Sequence, residues 1–156
     1  MYRAESNFMP SACFIDTNLL LYAQDPEAPA KAKRVTEWLG ALAETDAIVI
    51  SPQVLNEYAH NIIRKFRRVG ADRLLAELEF MQQWCRAQTN RHTAIHALRI
   101  HLRYQFSFYD SCLIASALEY GCDLFLSEDL SHGQRISGMQ IISPFRSELS
   151  SIAEQN

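Results

Sequence analysis

The chain has 156 residues, 48% of them hydrophobic and 21% charged, a length that fits one domain with an apolar core of its own. With only five glycines and five prolines, collagen-like, mucin-like and linker compositions are excluded. The balance of 15 basic against 18 acidic residues gives a formal charge of −3, which argues against a protein that grips nucleic acid through a broad basic surface.

Four cysteines, Cys13, Cys85, Cys112 and Cys122, show neither CxxC nor zinc-type spacing. Reduced thiols in a cytoplasmic protein are the simplest expectation. No apolar run reaches the roughly 18 residues of a membrane span. The first ten residues are polar and lack the apolar segment of a signal peptide, so residues 1–10 are expected to be a short flexible lead.

Residues 11–16 (SACFID) form an apolar run too short for a helix and are predicted to be a strand ending in a carboxylate. A helix is predicted over 30–43, with Val35, Trp38, Leu39 and Leu42 on one face. The β-branched run at 47–50 (AIVI) predicts a second strand. Ser51-Pro52 then signals a helix start, serine as N-cap and proline at the first helical position, with the helix running to about residue 69 and stopping at Gly70. Further helices are expected over 72–87 and 93–104. Another opens at Ser107-Phe-Tyr-Asp110 and ends at Gly121. Residues 123–127 (DLFLS) and 139–142 (MQII) are the third and fourth predicted strands. Short, nearly continuous apolar strands alternating with helices imply a mainly parallel sheet covered on both faces. The expectation is one three-layer α/β/α domain over 11–149, with four to five strands, a helical insertion and a tail at 150–156.

In such sheets, sites form beyond the carboxyl ends of the strands. Asp16 ends the first strand, Asp129 follows the third, and Asp110 lies in the first turn of the helix leading into the third. Each has a structural explanation. Asp16 suits a turn or a helix cap. Asp110 stands three residues after Ser107, the spacing of a capping box at the positive end of a helix dipole. Asp129 suits a turn. Glu57 lies opposite the apolar stripe of its helix (Val54, Leu55, Tyr58, Ala59, Ile62, Ile63 and Phe66), on the face of Asn61, Arg64 and Arg68. Together the four acids make a different case. Two carboxylates about 4 Å apart repel by roughly 4 kcal/mol at an effective dielectric of 20. Convergence therefore demands either raised pKa values or a cation. An all-oxygen set without cysteine or clustered histidine selects Mg²⁺ or Mn²⁺ over zinc and suits phosphodiester cleavage.

The segments FIDTNLLLYA, SPQVLNEYAHN, SFYDSCLIASALEYGCDLFLSEDLSHGQ and IISPF, spanning about residues 12–145, resemble a PIN-domain ribonuclease, most of all the toxin half of VapBC-type toxin–antitoxin pairs. The resemblance implies a Mg²⁺- or Mn²⁺-dependent endoribonuclease. It places the family's acids on Asp16, Glu57, Asp110 and Asp129, with Ser127 as the accompanying hydroxyl. Thr17 and Asn18 stand as the polar residues that orient the first aspartate. Glu128 receives no role. The resemblance also implies a homodimer and an antitoxin partner. For the RNA backbone, Arg64, Lys65, Arg67 and Arg68 at the end of the Glu57 helix are the candidate contacts, with Arg91, Arg99 and Arg103 as a second group. His60 and His132 lie near the motifs, while Trp38 and Trp84 suit the core or an interface. Two alternatives stand at this point. One is a binding module that uses the fold without catalysis. The other is a haloacid-dehalogenase-like phosphatase, although its DxDxT signature is DTNLL here.

Overall fold

The computed structural model describes residues 10–65 and 70–153. Most of the expected N-terminal lead, residues 154–156 and the candidate contacts Arg67 and Arg68 lie outside the described residues. The chain builds the expected three-layer α/β/α domain around a five-stranded sheet of order β2-β1-β3-β5-β4. The strands are β1 (Cys13–Ile15), β2 (Ile48–Val49), β3 (Leu124–Leu126), β4 (Arg135–Ile136) and β5 (Met139–Ile142). β1 pairs in parallel with both β2 and β3, and β3 in parallel with β5, while β4 runs antiparallel at the edge. Every residue of β1 and β3 is buried, as helices on both faces require. Phe14 and Phe125, paired in register, stack with ring centroids 5.1 Å apart.

The helices are α1 (Thr17–Tyr22), α2 (Pro29–Glu44), α3 (Pro52–Lys65), α4 (Ala71–Met81), α5 (Arg91–Tyr104), α6 (Phe108–Tyr120) and α7 (Leu149–Ala153). α2 buries Val35, Trp38 and Leu42, as its periodicity predicts. α6 is buried on all sides over Ser111–Ala117, so only its two ends reach the surface. That brings the Asp110 end to the rim of the domain. Gly121 closes the helix with φ 94°, a left-handed backbone that suits glycine. No described helix is long and apolar enough to cross a membrane.

Several boundaries differ from expectation. α1 is unanticipated: TNLLLY is short, and Asp16 occupies its N-cap position without any side-chain cap bond. The 72–87 helix stops early. After Met81 the chain makes one 3₁₀ turn, Gln82–Trp84, and then runs beside the end of β2, where Ile50 donates to the Trp84 carbonyl at 2.8 Å and accepts from the Ala87 amide at 3.1 Å. Backbone groups of a sheet edge outcompete the last helical turn. Gly70 does not take the left-handed stop conformation; it has φ −60° and serves as N-cap of α4. Ser51 precedes Pro52 as predicted, yet its buried hydroxyl has no hydrogen-bond partner among the described residues. The apolar stripe of α3 is narrower than periodicity suggests, since Val54, Tyr58 and Ile62 are buried while Ile63 is exposed. The tail region carries α7, whose Ile152 is buried in the core.

β4 was hidden in a two-residue hairpin. Ser137 and Gly138 both have positive φ, 48° and 89°, the geometry that matches the twist of an antiparallel pair. The Ser-Gly dipeptide between Ile136 and Met139 is the signal that marks it.

Candidate active site

The parallel strands bring Asp16, at the end of β1, beside Ser127, at the end of β3. The register Ile15↔Leu126 makes them the next pair along. Ser127 is fully buried and its hydroxyl donates to Asp16 Oδ2 at 2.8 Å. Asp16 is itself buried, 5% exposed. This bears on the helix-cap reading of Asp16. An aspartate that served as a helix cap would turn its carboxylate onto the amides of α1, where no such bond exists. Here the carboxylate turns away, toward the other acids.

The electrostatics follow from that placement. Burial raises the Asp16 carboxyl from its ordinary value to about 7. The Ser127 hydroxyl opposes this, while Asp110, Glu57 and Asp129 each add through-space repulsion. The sheet and its flanking helices thus bring all three other acids within electrostatic reach of Asp16. Each is held differently. Glu57, half-buried on α3, accepts from Thr17 Oγ1 at 2.7 Å and from Gln53 Nε2 at 2.7 Å. Asp110 sits in the first turn of α6, its amide donating to Ser107 Oγ at 3.1 Å. The reciprocal bond of a capping box is not formed, which leaves the carboxylate free of that structural duty. Asp129, exposed in the loop after β3, accepts from the Asn18 side-chain amide.

Thr17 and Asn18 therefore act differently from expectation. Neither orients Asp16. The helical turn that begins at Thr17 points the two side chains at different partners, Glu57 on α3 and Asp129 in the β3 loop. Gln53 was missed entirely. It stands one helical turn before Glu57, and its amide bridges Glu57 to the Tyr109 carbonyl at 3.0 Å, linking α3 to the start of α6. The i,i+4 spacing of Gln53 and Glu57 is a sequence signal that could have found it.

The cationic candidates divide. Arg64 and Lys65 are exposed at the end of α3. Lys65 lines a polar cavity of about 160 Å³ together with Asn18, Leu21, Tyr22, Asp25 and Asp129, so of the four acids it shares a cavity with Asp129. His132 is engaged elsewhere, its Nδ1 accepting from the Ser143 amide at 3.0 Å. Trp38 is wholly buried, and Trp84 borders an apolar groove beside α4.

The donor set is of a kind that suits a hard divalent cation. It is all oxygen, and among the described residues none of the four acids takes part in an ion pair. The described side chains include no group of three or more histidine, cysteine, aspartate or glutamate residues placed to hold a metal ion. Direct coordination here would fall to one or two carboxylates, the number through which Mg²⁺ is commonly bound while it keeps several waters.

A three-layer α/β/α domain with a mainly parallel five-stranded sheet is the class that the fold defines. A model of the PIN domain matches residues 13–134, and the chain belongs to that family. No curated protein matches it.

Proposed function

We infer that the protein is a divalent-metal-dependent endoribonuclease. The observation that carries this reading is the buried Asp16 carboxylate, which bonds Ser127 and not its own helix and lies within electrostatic reach of three further acids, with no paired cation among the described residues. A fold gains no stability from such an arrangement. PIN domain membership supports the nuclease class.

Mg²⁺ or Mn²⁺, when bound, would neutralise the acids, orient a phosphate and lower the pKa of water. Asp16, Asp110 and Asp129 would hold it, one or two of them directly and the rest through water, with Glu57 holding it or accepting a proton from the attacking water. Ser127 keeps Asp16 in one rotamer, and Thr17 with Gln53 does the same for Glu57. Hydrolysis forms a bond from water oxygen to phosphorus and breaks the bond to the 3′ oxygen, which takes the proton. A 5′-phosphate and a 3′-hydroxyl result. Lys65, which lines a cavity together with Asp129, is placed to meet the RNA backbone.

The toxin role belongs to this proposal as well, with an antitoxin and a second copy of the chain as partners. The motif resemblance supports it. Exposed apolar side chains on α4 and α5 (Leu75, Phe80, Ile95, Leu98 and Leu102) offer surface that partners would cover. Incubation of the protein with structured RNA and with a phosphomonoester, in Mg²⁺, Mn²⁺ or EDTA, tests the function. Cleavage of RNA alone, abolished by EDTA, is the expected result. Phosphomonoester hydrolysis would favour the phosphatase, and RNA binding without cleavage the non-catalytic module.

A further inference from the structure

Glu128 lies between Ser127 and Asp129, yet it faces away from the acids. One of its oxygens accepts from Lys31 Nζ on α2. The other is buried and has no hydrogen-bond partner among the described residues. Lys31 is held on more than one side. Its ammonium lies 4.5 Å from the centre of the Tyr22 ring and 5.2 Å from that of Phe145, and it donates to the Tyr22 hydroxyl at 3.4 Å. The two rings meet edge to face with centroids 5.8 Å apart. One turn further along α2, Arg34 Nε donates to the Pro144 carbonyl at 2.8 Å, and its guanidinium also reaches the Ser147 carbonyl and Glu148.

This cluster ties together the segments that carry the site. Tyr22 is on α1, whose Asn18, one turn earlier on the same face, holds Asp129. Glu128 is Asp129's neighbour in the chain. Phe145 follows β5. We propose that Lys31 is a positioning residue: with Glu128, Tyr22 and Phe145 it clamps the Ser127–Asp129 segment against α1 and so sets where Asp129 stands. The inference rests on the metal-site reading above. The ion pair is partly open to water, with side-chain exposures of 40% for Lys31 and 26% for Glu128, so its effect on global stability is small. Its effect on geometry is larger. Without Lys31 the half-buried Glu128 carboxylate loses its described ion-pair partner and turns to water, carrying the adjoining peptide with it. The lysine also directs one of two adjacent carboxylates away from the site, so that Asp129 alone presents itself there.

The test is calorimetric titration of Mn²⁺ into wild type, Lys31→Met, Lys31→Arg, Glu128→Ala, the Lys31→Met/Glu128→Ala double variant and Asp129→Asn. Lys31→Met keeps the apolar stem. It is expected to weaken Mn²⁺ binding about 10-fold, the lower end of the range for residues that orient metal ligands. Its melting temperature should stay within about 3 °C of wild type. Lys31→Arg should recover most of the affinity, and the double variant should be no weaker than either single one. At saturating Mn²⁺ the RNA cleavage rate of Lys31→Met should return to near wild type. An affinity within about twofold of wild type for Lys31→Met, with Asp129→Asn abolishing binding, would overturn the positioning role and leave the metal site intact. Absent binding by wild type, or undiminished binding by Asp129→Asn, would remove the metal-site reading and the positioning role together. Should Lys31→Met lose its cooperative melt, Glu128→Ala and Lys31→Arg decide on the same criteria.

Discussion

Two polar clusters of this domain invite comparison, the acids at the end of β1 and the group that joins α5 to α6. In the second, Asn90 caps α5, its side chain accepting from the His92 and Thr93 amides at 2.9 and 3.3 Å. Thr93, fully buried, accepts from the Asn90 amide and donates to Glu119 Oε2 at 2.8 Å, while His96 Nδ1 meets Glu119 Oε1 at 3.1 Å. Both oxygens of Glu119 are partnered by donors. Asp16 has one hydroxyl and three like charges. The α5–α6 cluster is organised for folding, with donors and acceptors matched. The acidic cluster is not matched in this way, and under the proposed function a divalent cation would relieve its repulsion.

Asp16→Asn breaks the contrast most sharply. It should lower RNA cleavage by at least about 10²-fold, as expected for loss of a group that stabilises transition-state charge. It should also raise the melting temperature in EDTA at pH 8, because a neutral amide relieves the repulsion. An inactive variant less stable than wild type under those conditions would contradict the account.

Thr93→Val is the counterpart in the satisfied cluster. It should cost about 1–3 kcal/mol of stability, measured by urea denaturation, and leave cleavage per folded molecule unchanged.

The pH dependence of metal-free stability sharpens the comparison further. The Asp16 carboxyl is raised from an ordinary 3.8 to about 7. The folded state therefore holds a proton that the unfolded state releases across that window. The contribution of Asp16 is fully present below the ordinary value and is lost as pH rises through about 7. Metal-free wild type should lose on the order of a few kcal/mol between pH 4 and pH 7 relative to Asp16→Asn. Parallel pH profiles would rule the shift out.

Thr17→Val has the smallest expected effect. Removing the bond to Glu57 should cost about 1 kcal/mol and lower kcat several-fold, with KM for RNA little changed. A rise in KM at constant kcat would instead assign Thr17 to substrate binding.

Much of this domain was legible in the chain. β5 coincides with the run MQII, and α6 closes at Gly121, because both signals are local. β4, by contrast, is only two residues long, so its edge pairing with β5 decides its state more than propensity does. The early end of α4 depends on Ile50, more than thirty residues away. Asp16, Asp110 and Asp129 were visible as residues at or just after strand ends or at a helix start, and Glu57 as an acid opposite the apolar stripe of its helix. The roles of Thr17, Asn18 and Gln53 were not, since which carboxylate each side chain meets depends on how α1, α3 and the β3 loop cross. Lys31 carried no signal at all, because its partner Glu128 is distant in sequence and unremarkable alone.

The central claim is that the gathered acids await a divalent cation. Thermal melting of wild type and Asp16→Asn at pH 8, with and without millimolar Mg²⁺ or Mn²⁺, measures it directly. A ligand that binds only the folded state raises the melting temperature by mass action. The account predicts a metal-dependent rise in wild type that is lost in Asp16→Asn, whose metal-free melt is already higher. No rise in wild type, or an equal rise in both, would contradict it.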